Sequence, residues 1–210
     1  MNDDLRGAVA DDLEMVLTYA GAVDVGDVDQ HLGGWPIEVA SDIYLLPFWT
    51  RPFCAAVVRA AELIGLEPDP SDPVPGHEVS LAAISPALFG AVQHDFGRRI
   101  WPQLQGVWPL IEYRGLRDAF VIRYVPGQQE SLRLHQDIAQ VSATVKLNDD
   151  FDGAALTFPR QGYDNTEQPV GSLLAWPSLV THPHETAPLT RGVKYALTIW
   201  CELPGDAAIY

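Results

Sequence analysis

Apolar and polar positions divide the chain into two regimes. In the first half the apolar residues recur mainly at helical spacing, whereas from Ala119 onward they form short runs broken by turn chemistry. Leu13, Val16, Leu17 and Ala20 predict an amphipathic helix over Asp11–Tyr19, and Gly33, Gly34 and Pro36 then interrupt regular structure. A strand is predicted at Ile43–Phe48. Thr50 can cap the helix that follows, Pro52 suits its first turn, and Gly65 closes it after Ala55–Ile64. Glu67–Gly76 is rich in Pro and Asp and reads as an exposed loop. A strand at Val79–Ile84 leads to Ser85-Pro86, which opens a helix running to about Ile100. Further strands are predicted at Phe120–Val125, Ser131–Asp137, Val141–Leu147, Ala155–Phe158, Ser172–Trp176 and Lys194–Cys201. Pro126-Gly127, Asn148-Asp149-Asp150, Asp152-Gly153 and Pro159-Arg160-Gln161-Gly162 punctuate them. Early helices and late, short strands predict a mainly β sandwich or jelly roll with helices bracing one outer face.

The 210 residues fit one domain, with residues 1–40 as an acidic N-terminal extension and 41–210 as the domain proper. The extension reads as a lid, a dimer arm or a leader, so a homodimer is one expectation. Hydrophobic residues make up 47% of the chain, enough for an ordinary core. The formal net charge of −15 argues against a general nucleic-acid or anionic-membrane binder and favours a cationic partner. Cys54 and Cys201 are too few for a disulfide framework and are expected buried and reduced. The acidic start Met1-Asn2-Asp3-Asp4 does not read as a secretory signal, so a soluble, cytoplasmic protein is expected.

The chemistry concentrates in the β half. In His135-Gln136-Asp137 the alternation of a strand puts an imidazole and a carboxylate on one face, where they can share a cation. By itself the pair is common. A second histidine source, Thr181-His182-Pro183-His184-Glu185, begins its histidines 47 residues later. Two histidines and a carboxylate make the facial triad of non-haem Fe(II) oxygenases; zinc would more often take a closed set with cysteine, and neither cysteine is near in sequence. The chain holds two lysines, Lys146 and Lys194, against eleven arginines, and both lie in this half. Alternation puts Lys194, Ala196 and Thr198 on one face, with Ser142, Thr144 and Lys146 likewise together on their strand. Such inverted amphipathicity suits a sandwich with a polar, ligand-holding interior. A solvated outer face with snorkelling lysines is the alternative for either lysine alone.

Residues 119–203 resemble the 2-oxoglutarate/Fe(II) dioxygenases of the prolyl- and lysyl-hydroxylase type, and above all the catalytic domain of procollagen lysyl hydroxylases. Three segments carry the resemblance. Phe120-Val121-Ile122-Arg123-Tyr124 with Ser131–Asp137 looks like the family's strand into its H-x-D motif. Lys146-Leu147-Asn148-Asp149-Asp150-Phe151-Asp152-Gly153, followed by Leu156-Thr157-Phe158-Pro159, looks like its hairpin, with Ala154 where the family has a second glycine. Leu179–Glu185, then Arg191-Gly192-Val193-Lys194-Tyr195, looks like the distal-histidine segment and its basic partner. Weaker similarity reaches back to about Ile43.

The resemblance implies a double-stranded β-helix, cupin-like, braced by N-terminal helices. It implies His135, Asp137 and His184 as Fe(II) ligands, His184 being preferred to His182 because it lies ten residues before the basic partner. Lys194 would hold the distal carboxylate of 2-oxoglutarate, with Tyr124, Thr144 and Lys146 near the cosubstrate. The cofactors are Fe(II), 2-oxoglutarate and O2, with ascorbate as a candidate reductant. The implied activity is hydroxylation of an unactivated C–H bond in an amino-acid side chain, free or in a peptide, with release of succinate and CO2. The carboxylate at Asp137 favours hydroxylation over halogenation, which would leave that position to chloride. Desaturation or cyclisation on the same iron, a protein-modifying oxygen sensor and a non-catalytic jelly-roll module are the rivals.

Overall fold

The computed structural model describes residues 36–68 and 74–203. The helix expected over Asp11–Tyr19 lies outside the described residues. The first described elements are a hairpin, β1 (Ile37–Ala40) and β2 (Ile43–Pro47), so the last residues of the expected extension pair with the domain's sheet. Helix α1 (Arg51–Ile64) starts where expected. Thr50 Oγ1 accepts the Phe53 N–H at 3.4 Å, and Gly65, at φ 99°, ends the helix.

Two expectations fail between α1 and the strand that begins at Leu116. The loop expected over Glu67–Gly76 begins as a short strand, β3 (Glu67–Pro68), paired with β4 (His77–Ser80). The strand expected over Val79–Ile84 ends at Ser80, because the Ser80 Oγ accepts the Ala83 N–H at 3.1 Å and turns Leu81–Ile84 into α2. A capping hydroxyl here outweighs the alternation that suggests a strand. Ser85 caps α3 (Pro86–Asp95) in the same way. A π-helical turn, Phe96–Ile100, joins it to α4 (Trp101–Val107), where Pro102 lacks the N–H that would continue the α ladder. Leu88, Val92, Phe96, Ile100 and Leu104 follow one another at four-residue spacing and are all fully buried. Each contributes about 1.5–3 kcal/mol of burial.

The remaining strands are β5 (Leu116–Tyr124), β6 (Leu132–His135), β7 (Val141–Lys146), β8 (Phe151–Gly153), β9 (Leu156–Phe158), β10 (Tyr163–Asp164), β11 (Ser172–Pro177), β12 (His184–Thr186), β13 (Leu189–Gly192) and β14 (Lys194–Cys201). Three very short strands, β8, β10 and β12, and the neighbouring β13 carry too few residues for a period to show in sequence. A major antiparallel sheet runs β1-β2-β11-β7-β14-β5-β4-β3, and a minor one runs β10-β9-β12-β6. This is the expected jelly roll.

Alternation sorts the major sheet cleanly. Val141, Ala143 and Val145 of β7, Leu197 and Ile199 of β14, and Ala119 and Val121 of β5 pack into the core shared with the helices. Their neighbours face the minor sheet: Phe120, Ile122, Tyr124, Thr144, Lys194, Ala196 and Thr198 line a cavity between the sheets. Gly171 joins the β2–β11 pairing to α1, its carbonyl accepting the Phe48 and Trp49 N–H groups at 3.1 and 2.8 Å. With φ at +84° and a would-be Cβ 2.0 Å from the Trp49 carbonyl oxygen, only glycine fits. Among the described residues no helix is long and apolar enough to cross a membrane.

Candidate active site

The cavity holds about 450 Å³ and is walled by strands of both sheets. On the minor-sheet side β6 and β12 are antiparallel neighbours with His135 directly opposite His184. Asp137, two residues past the end of β6, turns back toward both rings. Its Oδ1 lies 3.5 Å from His135 Nε2 and its Oδ2 lies 3.5 Å from His184 Nε2. The donor atoms of the three residues all lie within 4.8 Å of one another.

Backbone carbonyls fix both imidazoles. His135 Nδ1 lies 2.8 Å from the Arg133 carbonyl oxygen, and His184 Nδ1 lies 3.0 Å from that of His182. Each carbonyl can only accept, so each Nδ1 carries the proton and each Nε2 presents its lone pair to the cluster. Asp137 is held in turn: the Ser142 hydroxyl donates to Oδ2 at 2.6 Å, and Ser178 Oγ lies 2.7 Å from Ser142 Oγ. Burial alone would raise the Asp137 pKa, but the bond to His135, the His184 charge and the Ser142 bond outweigh it and hold the carboxyl below its ordinary range. Burial likewise opposes charging of His135, yet the Asp137 carboxylate and the Arg133 carbonyl prevail and its pKa rises. In His184 burial wins over Asp137 and the pKa falls.

His182 is outside the cluster. Its Nε2 lies 3.1 Å from the Ser41 carbonyl oxygen and its Nδ1 3.0 Å from Thr181 Oγ1, which spends both ring nitrogens tying the 3₁₀ turn Leu179–Thr181 to the β1–β2 hairpin. The His182 carbonyl, in contrast, aims His184.

Lys194 lines the cavity. It is buried, its Nζ donates to the Ala154 carbonyl at 2.6 Å and lies 5.1 Å from the centre of the Tyr124 ring. No carboxylate is within ion-pair distance of it among the described residues. Burial, with Lys146 adding repulsion, pushes its pKa down to about 7. A buried ammonium of this kind is completed by an anion. Two motif residues position it. Ala154 sits in the left-handed region (φ 49°), where its carbonyl points at Lys194. Asn148 brackets it on the chain, its Nδ2 donating to the Val193 carbonyl at 2.7 Å and its Oδ1 accepting the Tyr195 N–H at 2.8 Å.

Tyr124 and Thr144 both line the cavity, and the Tyr124 hydroxyl lies 3.0 Å from Thr186 Oγ1. Lys146 takes a different place. Its Nζ donates to the Thr166 carbonyl at 3.3 Å, and the side chain lines a smaller adjoining cavity of about 180 Å³ that shares Thr144, Lys194 and Ala196 with the main one. Several cavity residues escape sequence reasoning. Thr186 could have been found as the second residue past His184 on the same strand face. Val74 falls in the segment that reads as loop, and Glu78 falls between that loop and the expected strand, so neither carried a signal.

The chain is 28% identical over 166 residues to procollagen-lysine,2-oxoglutarate 5-dioxygenase 1 of Mus musculus, a match covering 73% of this chain and 23% of that protein. It is 37% identical over 81 residues to the multifunctional procollagen lysine hydroxylase and glycosyltransferase LH3 of Rattus norvegicus, covering 37% of this chain and 11% of that protein. The chain thus spans less than a quarter of the length of these relatives. Among solved structures, the viral collagen prolyl hydroxylase vCPH from Paramecium Bursaria Chlorella virus-1 in its 2OG complex superimposes with a TM-score of 0.60 at 18% identity, covering 78% of this chain and 97% of that one. A Pseudomonas putida prolyl-4-hydroxylase gives 0.59 at 19% identity, covering 85% and 98%. The fold is that of the 2-oxoglutarate/Fe(II) oxygenases. No protein-family model matches the chain. The resemblance to lysyl hydroxylases read from residues 119–203 is borne out by these relatives.

Proposed function

We propose that this chain is a non-haem Fe(II)/2-oxoglutarate-dependent hydroxylase acting on an unactivated C–H bond of an amino-acid side chain. The observation that carries the reading is the His135–Asp137–His184 cluster, with both Nε2 lone pairs converging, in one cavity with a buried Lys194 that no carboxylate of the described residues pairs. The donor set fits iron: two imidazoles and one carboxylate leave room for a chelating cosubstrate and oxygen. Lys194 fits the far carboxylate of 2-oxoglutarate, an anion that none of the described residues supplies to it. When bound, Fe(II) with 2-oxoglutarate supplies the oxidising chemistry that releases succinate and CO2 and leaves oxygen on the substrate.

The chain's own residues do the rest. The Arg133 and His182 carbonyls hold the histidines in the tautomer that ligates, and Ser142 keeps Asp137 ionised and aimed. Phe120, Ile122, Leu156 and Trp176 exclude water from around the reacting groups. That the relatives are named for procollagen lysine supports a basic target side chain.

The test is anaerobic. Adding Fe(II) and then 2-oxoglutarate should produce the weak visible charge-transfer band of the chelate, and His184→Ala and Asp137→Ala should lose it. Iron bound without the band would overturn the cosubstrate, and failure to bind any divalent metal would overturn the reading altogether.

A further inference from the structure

Behind the candidate ligands lie two serine hydroxyls that are cut off from solvent. Ser178, Ser142 and Asp137 are exposed by only 7%, 0% and 5%, so bulk water scarcely reaches any of them. Ser178 follows the last residue of β11 with an extended backbone, which carries the alternation of that strand one position further. Leu174 and Trp176, on the same face of β11, pack with Leu156 and Phe158 of β9. The pattern of β11 therefore calls for an apolar side chain at position 178, and a serine stands there. Trp176 is directly opposite Ser142 on β7, and the Ser178 N–H extends that ladder to the Gln140 carbonyl at 3.3 Å. Ser178 and Ser142 are thus diagonal neighbours across two strands. A buried hydroxyl is destabilising unless it is bonded, and these two bond to each other.

Counting protons gives the pair a direction. The Asp137 carboxylate can only accept, and Ser142 gives its single hydroxyl proton to Oδ2 at 2.6 Å. In the 2.7 Å contact between the hydroxyls, Ser178 therefore donates and Ser142 Oγ accepts. An aspartate carboxylate turns in broad torsional wells, and a serine hydroxyl rotates to suit its surroundings. With its oxygen occupied by Ser178, Ser142 keeps its proton on Oδ2, and each bond of the chain polarises the next. The same segment holds the main chain of Asp137. The Leu179 N–H donates to the Asp137 carbonyl at 3.1 Å, from a left-handed backbone (φ 61°) that a branched side chain disfavours. The Ser178 carbonyl accepts the Thr181 hydroxyl at 3.2 Å, and the turn runs on to His182, whose carbonyl aims His184. Residues 178–182 thus reach two of the three candidate ligands.

We infer that Ser178 is a positioning residue for the candidate metal centre, its hydroxyl acting through Ser142 to hold the Asp137 carboxylate in the orientation that ligates. The inference rests on the reading of His135, Asp137 and His184 as metal ligands and adds the residue that sets the aim of the carboxylate. Ser178 does not line the cavity, so its effect on the centre passes through Ser142. The main-chain bonds from Ser178 to Gln140 and from Leu179 to Asp137 do not involve the hydroxyl. Substitution of the side chain therefore tests the hydroxyl by itself.

Calorimetric titration of the full chain with Mn(II), without cosubstrate or turnover, tests this. Ser178→Ala should weaken Mn(II) binding about fivefold, less than the ~10–100-fold loss of a partner that touches the ligand itself. Ser178→Thr keeps the hydroxyl, and the extended backbone at this position suits a β-branched residue, so it should restore binding to within about twofold. The two serines together give the decisive comparison. Because Ser178 acts through Ser142, the double variant Ser142→Ala/Ser178→Ala should bind Mn(II) no more weakly than Ser142→Ala alone, whereas independent losses would multiply. Unchanged affinity in Ser178→Ala, failure of Ser178→Thr to restore it, or a further loss of about fivefold in the double variant each overturns the inference. A starting chain that binds no Mn(II) overturns instead the reading of the triad as a metal site, and the inference falls with it.

Discussion

At the residue scale, the site depends less on the three candidate metal ligands than on what restrains them. His135 and His184 each spend Nδ1 on a main-chain carbonyl, so the ring orientation is set by backbone geometry. Asp137 depends on a side chain, and Ser142 is the one to test. Ser142→Ala should weaken Fe(II) or Mn(II) binding about 10–100-fold, as loss of an orienting partner does elsewhere, while Ser142→Thr restores most of it if the hydroxyl is what matters. Calorimetric metal titration of the full chain reads both. Lys194 makes a second prediction. Its pKa in the free protein is about 7, so 2-oxoglutarate binding should weaken as pH rises above 7, where the ammonium is lost. Stability runs the other way. The unfolded lysine keeps its proton to about pH 10.4, so between 7 and 10 the unfolded state binds more protons and the ligand-free fold gains stability with pH. Lys194→Met should remove both dependences; denaturant melts across that window, with and without 2-oxoglutarate, decide it.

At the scale of elements, the hairpin motif resolves into a support for Lys194. Gly153 (φ +78°) approaches the β13 chain so closely that a Cβ would lie 2.3 Å from the Pro188 carbonyl oxygen. Gly153→Ala should therefore destabilise the fold by about 1–3 kcal/mol, and the following Ala154 carbonyl should lose its aim at Lys194. Asn148→Ala removes both bonds that bracket Lys194 on the chain. It should raise the 2-oxoglutarate KM more than it lowers kcat, because it acts on the cosubstrate end and leaves the triad's partners in place. Where the sequence misleads at this scale, the cause is local competition. Val79–Ile84 alternates well enough for a strand, but the Ser80 hydroxyl finds Ala83 N–H and starts a helix. The strand β12 is only three residues long, and its existence comes from pairing with β6 and β9, not from its own composition.

At the scale of the whole molecule, two thiols test the packing. Cys54 on α1 and Cys201 at the end of β14 are buried, and burial pushes both thiols up, Cys54 to about 12. Both should be inert to thiol reagents in the folded chain and react together only on unfolding; reaction of either under native conditions would place it at the surface. Much of the architecture is already determined in the chain. Alternation in Val141–Leu147 and Lys194–Cys201 separates a helix-facing from a cavity-facing set of residues, since a strand has only two faces. His135 and Asp137 share a locality for the same reason, and the spacing to Lys194 distinguishes His184 from His182. Only the tertiary structure decides the rest. Which histidine nitrogen is free depends on carbonyls brought close by strand pairing. Lys146 and Lys194 share the same residue type and the same half of the chain, yet pairing and packing bury one in the cavity wall and leave the other at the adjoining space. The cluster of His135, Asp137 and His184 draws on segments nearly fifty residues apart, which the pairing of β6 with β12 sets side by side. No one-dimensional pattern can contain it, because its geometry arises from the juxtaposition of strand ends.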